Sequence, residues 1–250
     1  MIAIIDLGSG NLRSVEKALH QLGYPAQVTT HTPTITKAQA VILPGVGAFG
    51  KAMAALQQNG LAEAIHMTID AGKPFMGICL GLQLLFQSSE EFGEVEGLGI
   101  VPGKVKRLRG PQFADAAGGG ASCNPSAGGA AARGASSAAP KAGRLKVPHI
   151  GWNAVRIAKP HPVFEGIPDG AMFYFVHSYA GAPASREWVY GVTEYGVKFT
   201  SAIARGKLFA CQFHPEKSGR VGLRMLDNFA RMAYPKGPPE PPAFAVGAVR

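Results

Sequence analysis

The pentapeptide Gly77-Ile78-Cys79-Leu80-Gly81 leaves this chain little choice of architecture. It follows the apolar run 74–78 and leads directly into a helical pattern over 80–88, with no loop between them. So abrupt a strand-to-helix turn presses the positions two before and two after Cys79 against neighbouring backbone, where a Cβ would clash, and both are glycine. Such a step belongs to a sheet covered by helices, and the chain repeats it. Residues 2–5 and 41–43 read as further buried strands. Residues 11–22 and 52–71 read as helices, the first with Leu12, Val15, Leu19 and Leu22 on one stripe and the second broken at Gly60. Later come β runs at 154–157, 172–176, 188–194, 199–205 and 208–213, and a closing helix at 221–232. The predicted fold class is α/β, with a mostly parallel central sheet flanked by helices.

Composition removes several other classes. Hydrophobic residues make up 46% of the 250 and charged residues 16%, the balance of a packed core rather than of a disordered or coiled-coil chain. No apolar run approaches the roughly 18 residues of a membrane span. The opening MIAIIDLGSG lacks the basic region of a secretory signal, and three cysteines, Cys79, Cys123 and Cys211, cannot form a disulfide framework. The expectation is a cytoplasmic protein. The net charge of +9 comes from singly scattered Lys and Arg without a nucleic-acid-binding motif, so no nucleic acid and no membrane is expected as a partner.

Two segments stand apart. In 110–143, 27 of 34 residues are Gly, Ala, Ser or Pro, and Phe113 is the only large apolar side chain. Such a stretch buries too little surface to offset its ordering entropy, and it reads as a surface insertion. Residues 235–250 hold five prolines and read as an extended, disordered tail. The remainder, 1–234, reads as one domain interrupted by that insertion.

Cys79 sits where a nucleophile would, at a helix N-terminus that favours thiolate, although a buried structural cysteine beside a packing glycine also suits the motif. A base and its orienter are offered by His214 and Glu216 in Gln212-Phe213-His214-Pro215-Glu216. Extended backbone before Pro215 puts side chains two apart on one face, so the carboxylate can fix the imidazole that takes the thiol proton. His-Pro-Glu can equally end a strand and cap the next segment. Zinc held by Cys211 and His214 lacks a second ligand pair, and alternation points the two apart. An oxyanion would find one donor in the Leu80 N–H and a second in Pro44-Gly45-Val46-Gly47, whose glycines let substrate approach the backbone, unless this is a plain βα turn. Gly8-Ser9-Gly10 lacks the remainder of a nucleotide fingerprint, so neither cofactor nor metal is expected, and this turn reads as lining the active face or an interface.

Taken together, LPGVGAFG at 43–50, GICLGLQLLF at 77–86 and QFHPEKSG at 212–219 resemble the class I, triad-type glutamine amidotransferases. VPHIGWN at 147–153 and YFVHSY at 174–179 narrow the resemblance to the glutaminase subunits of histidine biosynthesis, over residues 1–109 and 144–234. The resemblance implies a flavodoxin-like architecture and hydrolysis of glutamine to glutamate and ammonia. It implies a heterodimer with a (β/α)8-barrel cyclase, which uses the ammonia to make imidazole glycerol phosphate and AICAR. By motif position Cys79, His214 and Glu216 would be the triad, and Val46 and Leu80 the oxyanion hole. Gly47, Gln83, Glu91, Ser178 and Tyr179 would bind substrate. The alternatives are a glutaminase subunit of another amidotransferase, which VPHIGWN and the PGVG turn argue against, and an inactive regulatory subunit, which a complete triad argues against.

Overall fold

The computed structural model describes residues 1–8, 10–113 and 144–239. The first half of the chain is β1 (Ile2–Ile5), α1 (Leu12–Gln21), β2 (Ala26–Thr29), α2 (Thr32–Lys37), β3 (Ala40–Gly45), α3 (Phe49–Gln58), α4 (Leu61–Asp70), β4 (Phe75–Cys79), α5 (Leu80–Leu84), β5 (Phe86–Ser89), β6 (Val95–Glu96) and β7 (Val101–Arg107). The second is β8 (His149–Ile157), β9 (Ala171–His177), β10 (Tyr179–Pro183), β11 (Val189–Tyr195), β12 (Val197–Arg205), β13 (Leu208–Cys211) and α6 (Gly219–Arg231).

Nine strands form the main sheet in the order β2-β1-β3-β4-β13-β12-β11-β8-β9. From β2 to β13 neighbours run parallel, and from β13 to β9 they run antiparallel. The parallel half carries the expected α/β architecture, with helices on both faces. Alternation within each strand divides the core between those faces. Ile2, Ile4, Ile42 and Ile78 pack with Val15, Leu19 and Phe229 of α1 and α6. Ala3, Ile5, Val41 and Leu43 pack on the other face with Phe49, Leu56 and Ile65 of α3 and α4. A smaller sheet, β10-β7-β5-β6, leans against that second face through Phe86, Val101 and Val105.

Three sequence expectations change. The helix expected over 80–88 stops at Leu84, and Phe86–Ser89 becomes β5. Its apolar spacing suits a helix locally, but pairing with β7 wins once the smaller sheet forms. The strand expected over 208–213 ends at Cys211. The start of the low-complexity segment packs: Phe113 is buried, bridges to Leu145 and lies 5.9 Å from the Tyr195 ring, and the Gln112 amide donates to the Gly196 carbonyl. Residues 114–143, with Cys123, and the end of the tail lie outside the described residues. Among the described residues no helix is long and apolar enough to cross a membrane.

Candidate active site

β4 has β13 on one side and β3 on the other, both parallel to it, with Cys211 opposite Ile78 and Gly45 opposite Cys79. All three strands therefore leave the sheet at one edge. Segments remote in sequence, following Gly45, Cys79 and Cys211, converge there, at the carboxyl ends where open α/β sheets place their chemistry.

Cys79 has φ 55° and ψ −107°. Such backbone costs an L residue on the order of 1–3 kcal/mol, and the surrounding packing imposes it. A Cβ at Gly77 would stand 2.8 Å from the Gly81 carbonyl oxygen, and one at Gly81 would run into the Leu43 carbonyl. Both glycines are thus demanded by the elbow, as their spacing predicts. The buried Cys79 sulfur lies 3.9 Å from the Val176 carbonyl oxygen and accepts an N–H from Gln212 Nε2 at 3.6 Å.

His214 continues extended from β13, but Pro215–Lys217 then forms a 3₁₀ turn. This turn, rather than continued strand, brings Glu216 Oε1 to 2.8 Å from His214 Nδ1. Both side chains are nearly inaccessible. The loop is tied down by the His214 N–H donating to the Tyr174 carbonyl and by Ser218 Oγ, which donates to the His214 carbonyl at 2.6 Å. Burial pulls the His214 imidazolium down, but the Cys79 sulfur and the Glu216 carboxylate together outweigh it and push its pKa up to about 10. His214 Nε2 and Glu216 Oε2 have no hydrogen-bond partner among the described residues. Glu216 Oε1 also accepts from Asn11 Nδ2 at 3.4 Å. A Cβ at Gly10 would lie 3.7 Å from the Gly45 Cα, so the first turn lines this edge as expected.

The turn after β3 holds Val46 half-buried and Gly47 exposed at φ +105°, in backbone closed to most residues. Leu80 opens α5 immediately after the elbow and packs against Gly45. Glu91 Oε2 accepts from the Phe49 N–H at 2.7 Å, so it caps the helix that follows the Gly47 turn. Burial raises the Glu91 carboxyl against the lowering effect of that bond. Gln83 Nε2 donates to the Tyr179 carbonyl at 2.9 Å and to Gln212 Oε1 at 3.1 Å. Ser178 joins β9 to β10, its carbonyl accepting from the Leu108 N–H at 2.9 Å. Burial and then the charge of Glu91 raise the Tyr179 hydroxyl. Sequence reading missed Asn11 and Gln212, though both lie inside segments it singled out. Cys211 directs its sulfur to the Phe213 carbonyl oxygen at 3.4 Å, within the core.

A buried thiol, an imidazole and a carboxylate at one sheet edge, beside a glycine-rich turn, are the parts of nucleophilic acyl transfer. The glutamine amidotransferase class-I family model matches residues 3–233. The chain belongs to the class-I glutamine amidotransferase family. This amidotransferase is 50% identical over 236 residues to the imidazole glycerol phosphate synthase subunit HisH of Moorella thermoacetica, covering 94% of this chain and 97% of the relative. It is 45% identical over 231 residues to the subunit of the same name from Desulfitobacterium hafniense, covering 92% and 94%. The structure of PurLQS from Thermotoga maritima matches with a TM-score of 0.64 at 14% identity, over 92% of this amidotransferase and 97% of that chain, a likeness of fold alone.

Proposed function

We propose that this chain is the cytoplasmic glutaminase subunit of an imidazole glycerol phosphate synthase, passing ammonia to a (β/α)8-barrel cyclase in histidine biosynthesis. The 2.8 Å His214–Glu216 pair at the sheet edge that bears Cys79 carries the reading. The thiolate of Cys79 attacks the glutamine side-chain amide carbon, and the carbonyl oxygen takes the charge between the Leu80 and Val46 N–H groups. His214, held by Glu216, gives its proton to the nitrogen, the C–N bond breaks, and ammonia leaves a thioester on Cys79. Water then loses a proton to His214 as it attacks the thioester, and glutamate departs. Glu91, Gln83 and the Ser178-Tyr179 segment, together with Gly47, hold the amino-acid end of the substrate.

The partner surface lies on β8 and β9. Ile150, Trp152 and Met172 are 60%, 53% and 48% exposed, an apolar group unusual for a surface left open. Trp152 meets Tyr174 edge-on at 6.1 Å, and the Lys217 ammonium stands 5.7 Å from the Tyr174 ring centre. Tyr174 binds the His214 backbone, so the cyclase docked here would sit beside the group that releases ammonia. The test is the reconstituted pair with Cys79→Ala. Glutamine-dependent imidazole product should vanish while high ammonium at alkaline pH still supports it. Product from glutamine in that variant, or no product from ammonium with a competent cyclase, overturns the reading.

A further inference from the structure

A chain of hydrogen bonds runs from the half-buried Asn153 on β8 through buried histidines to the nucleophile, and its polarity is fixed at both ends by backbone. At the outer end, Asn153 Oδ1 accepts the Ala154 N–H at 2.8 Å, so the amide nitrogen faces inward. That nitrogen donates to the Glu194 carbonyl at 2.9 Å and meets His149 Nε2 at 3.3 Å. His149 Nδ1 lies 3.0 Å from His177 Nε2, and His177 Nδ1 lies 2.9 Å from the Tyr179 carbonyl oxygen. A carbonyl only accepts, so His177 carries its proton on Nδ1 and accepts at Nε2. His149 must then donate from Nδ1 and accept at Nε2, as the Asn153 amide requires. Every member is neutral, and one tautomer of each ring satisfies the whole series.

The same carbonyl fixes the second half. Tyr179 O also accepts from Gln83 Nε2, whose other hydrogen goes to Gln212 Oε1 at 3.1 Å. Gln212 therefore turns its nitrogen, not its oxygen, to the Cys79 sulfur at 3.6 Å. A flipped Gln212 would set an amide oxygen against the thiolate and oppose the form that attacks.

We propose that His149 and His177 are positioning residues that lock the Tyr179 carbonyl, and through Gln83 hold the Gln212 amide so that its N–H supports the Cys79 thiolate. His149 is stacked between Phe175, with ring centres 4.9 Å apart, and Tyr195, at 4.0 Å, and so cannot easily turn its edge away. Burial holds both histidines low, His149 to about 4 and His177 to about 3, the latter pressed further by His149 and His214. Those neighbours and the Tyr195 ring are the titratable groups facing the pair. A second proton on either ring would put two donors face to face and break the series. The assignment deepens the glutaminase reading and rests on it for its purpose.

The experiment uses the full chain and reads thiol reactivity rather than glutamine turnover, so its outcome is independent of whether the substrate is glutamine. Iodoacetamide alkylation of the Cys79 peptide, followed by mass spectrometry from pH 4 to 10, gives the lower apparent pKa of the Cys79–His214 pair. Gln212→Leu should raise that value by about one unit, roughly tenfold less thiolate at a given acidic pH. His149→Phe, which keeps the aromatic stack, and His177→Phe should raise it in the same direction. Neither should add to Gln212→Leu in the double variant, since members of one network do not add. His177→Gln, with a donor and an acceptor on one amide, should bring the Cys79 profile most of the way back to that of the parent. Histidine variants that lower the melting temperature but leave the Cys79 profile where it was, or that add fully to Gln212→Leu, overturn the proposal. If His177→Phe does not fold, His149→Phe and His177→Gln decide the matter alone.

Discussion

Cys79, Gly81 and the buried histidines each owe their state to a contact that can be removed singly. On the proposed mechanism Cys79→Ala should cut glutamine hydrolysis by at least about 10⁴-fold in the complex, because members of a catalytic triad act as a unit, and ammonia release measures it. A glutamine-like electrophile should label Cys79 with protection by glutamine. Labelling at Cys211 instead would unseat the elbow assignment, and Cys211 is guarded by complete burial, which raises its thiol well above the usual range. Gly81→Ala places a methyl group on the Leu43 carbonyl, so strand β3 or the elbow must shift. About 1–3 kcal/mol of stability should go, visible as a lower denaturation midpoint, and glutaminase activity should fall with it. The histidines also set the pH response. His149 and His177 are held below the ordinary value of 6.5, so the unfolded chain binds more protons than the native one as pH falls from 6.5. Their contribution is complete above pH 6.5 and is lost down towards pH 4 and 3. His214 is raised, so its contribution is complete below 6.5 and is lost as pH rises through about 10. A melting-temperature profile should therefore fall on both sides, and His149→Phe should flatten the acid limb.

At the level of elements, the low-complexity segment divides at Phe113. Replacing residues 114–143 by a short Gly-Ser link retains the Phe113–Leu145 bridge and the packing on Tyr195. That variant should melt close to the parent. Joining Arg109 directly to Arg144 also removes Phe113, whose burial is worth about 1.5–3 kcal/mol, and should lower the melting temperature by several degrees. Equal melting of the two deletions would show that Phe113 contributes nothing. The short α5 illustrates the same dependence on context, since the apolar pattern beyond it leaves the helix to pair with β7.

At the level of the whole molecule, the proposed function carries an expectation of coupling to a cyclase, since the candidate site stands beside an exposed apolar group. In the proposed mechanism the Val46 peptide, beside Gly47 at positive φ, completes the oxyanion hole only once the partner binds. One missing donor costs on the order of a hundredfold or more in rate. The isolated chain should hydrolyse glutamine slowly, and adding the cyclase with its ribonucleotide ligand should raise turnover by at least about that factor. Trp152→Ala should weaken the complex by about 2 kcal/mol or more, read as a rise in Kd, without changing ammonia release at saturating partner. Full activity in the isolated chain would remove the coupling argument.

The elbow and four of the five parallel strands were legible in the sequence because each rests on local chemistry, and the residues proposed as the triad were picked out by their motifs. Small residues flank a strained turn, apolar side chains alternate in strands, and a carboxylate stands two residues from an imidazole. Asn11 on Glu216, Gln212 on Cys79 and the His149–His177 contact were not legible. Each joins segments brought together only by strand order, and no residue spacing encodes which way an amide or a ring must face. That orientation follows from backbone carbonyls and N–H groups fixed by the assembled sheet. Residue types and their local spacing thus pointed to the candidate reactive groups. How their protons and dipoles are aimed came from the assembled fold, because buried polar groups must match partners supplied by distant strands.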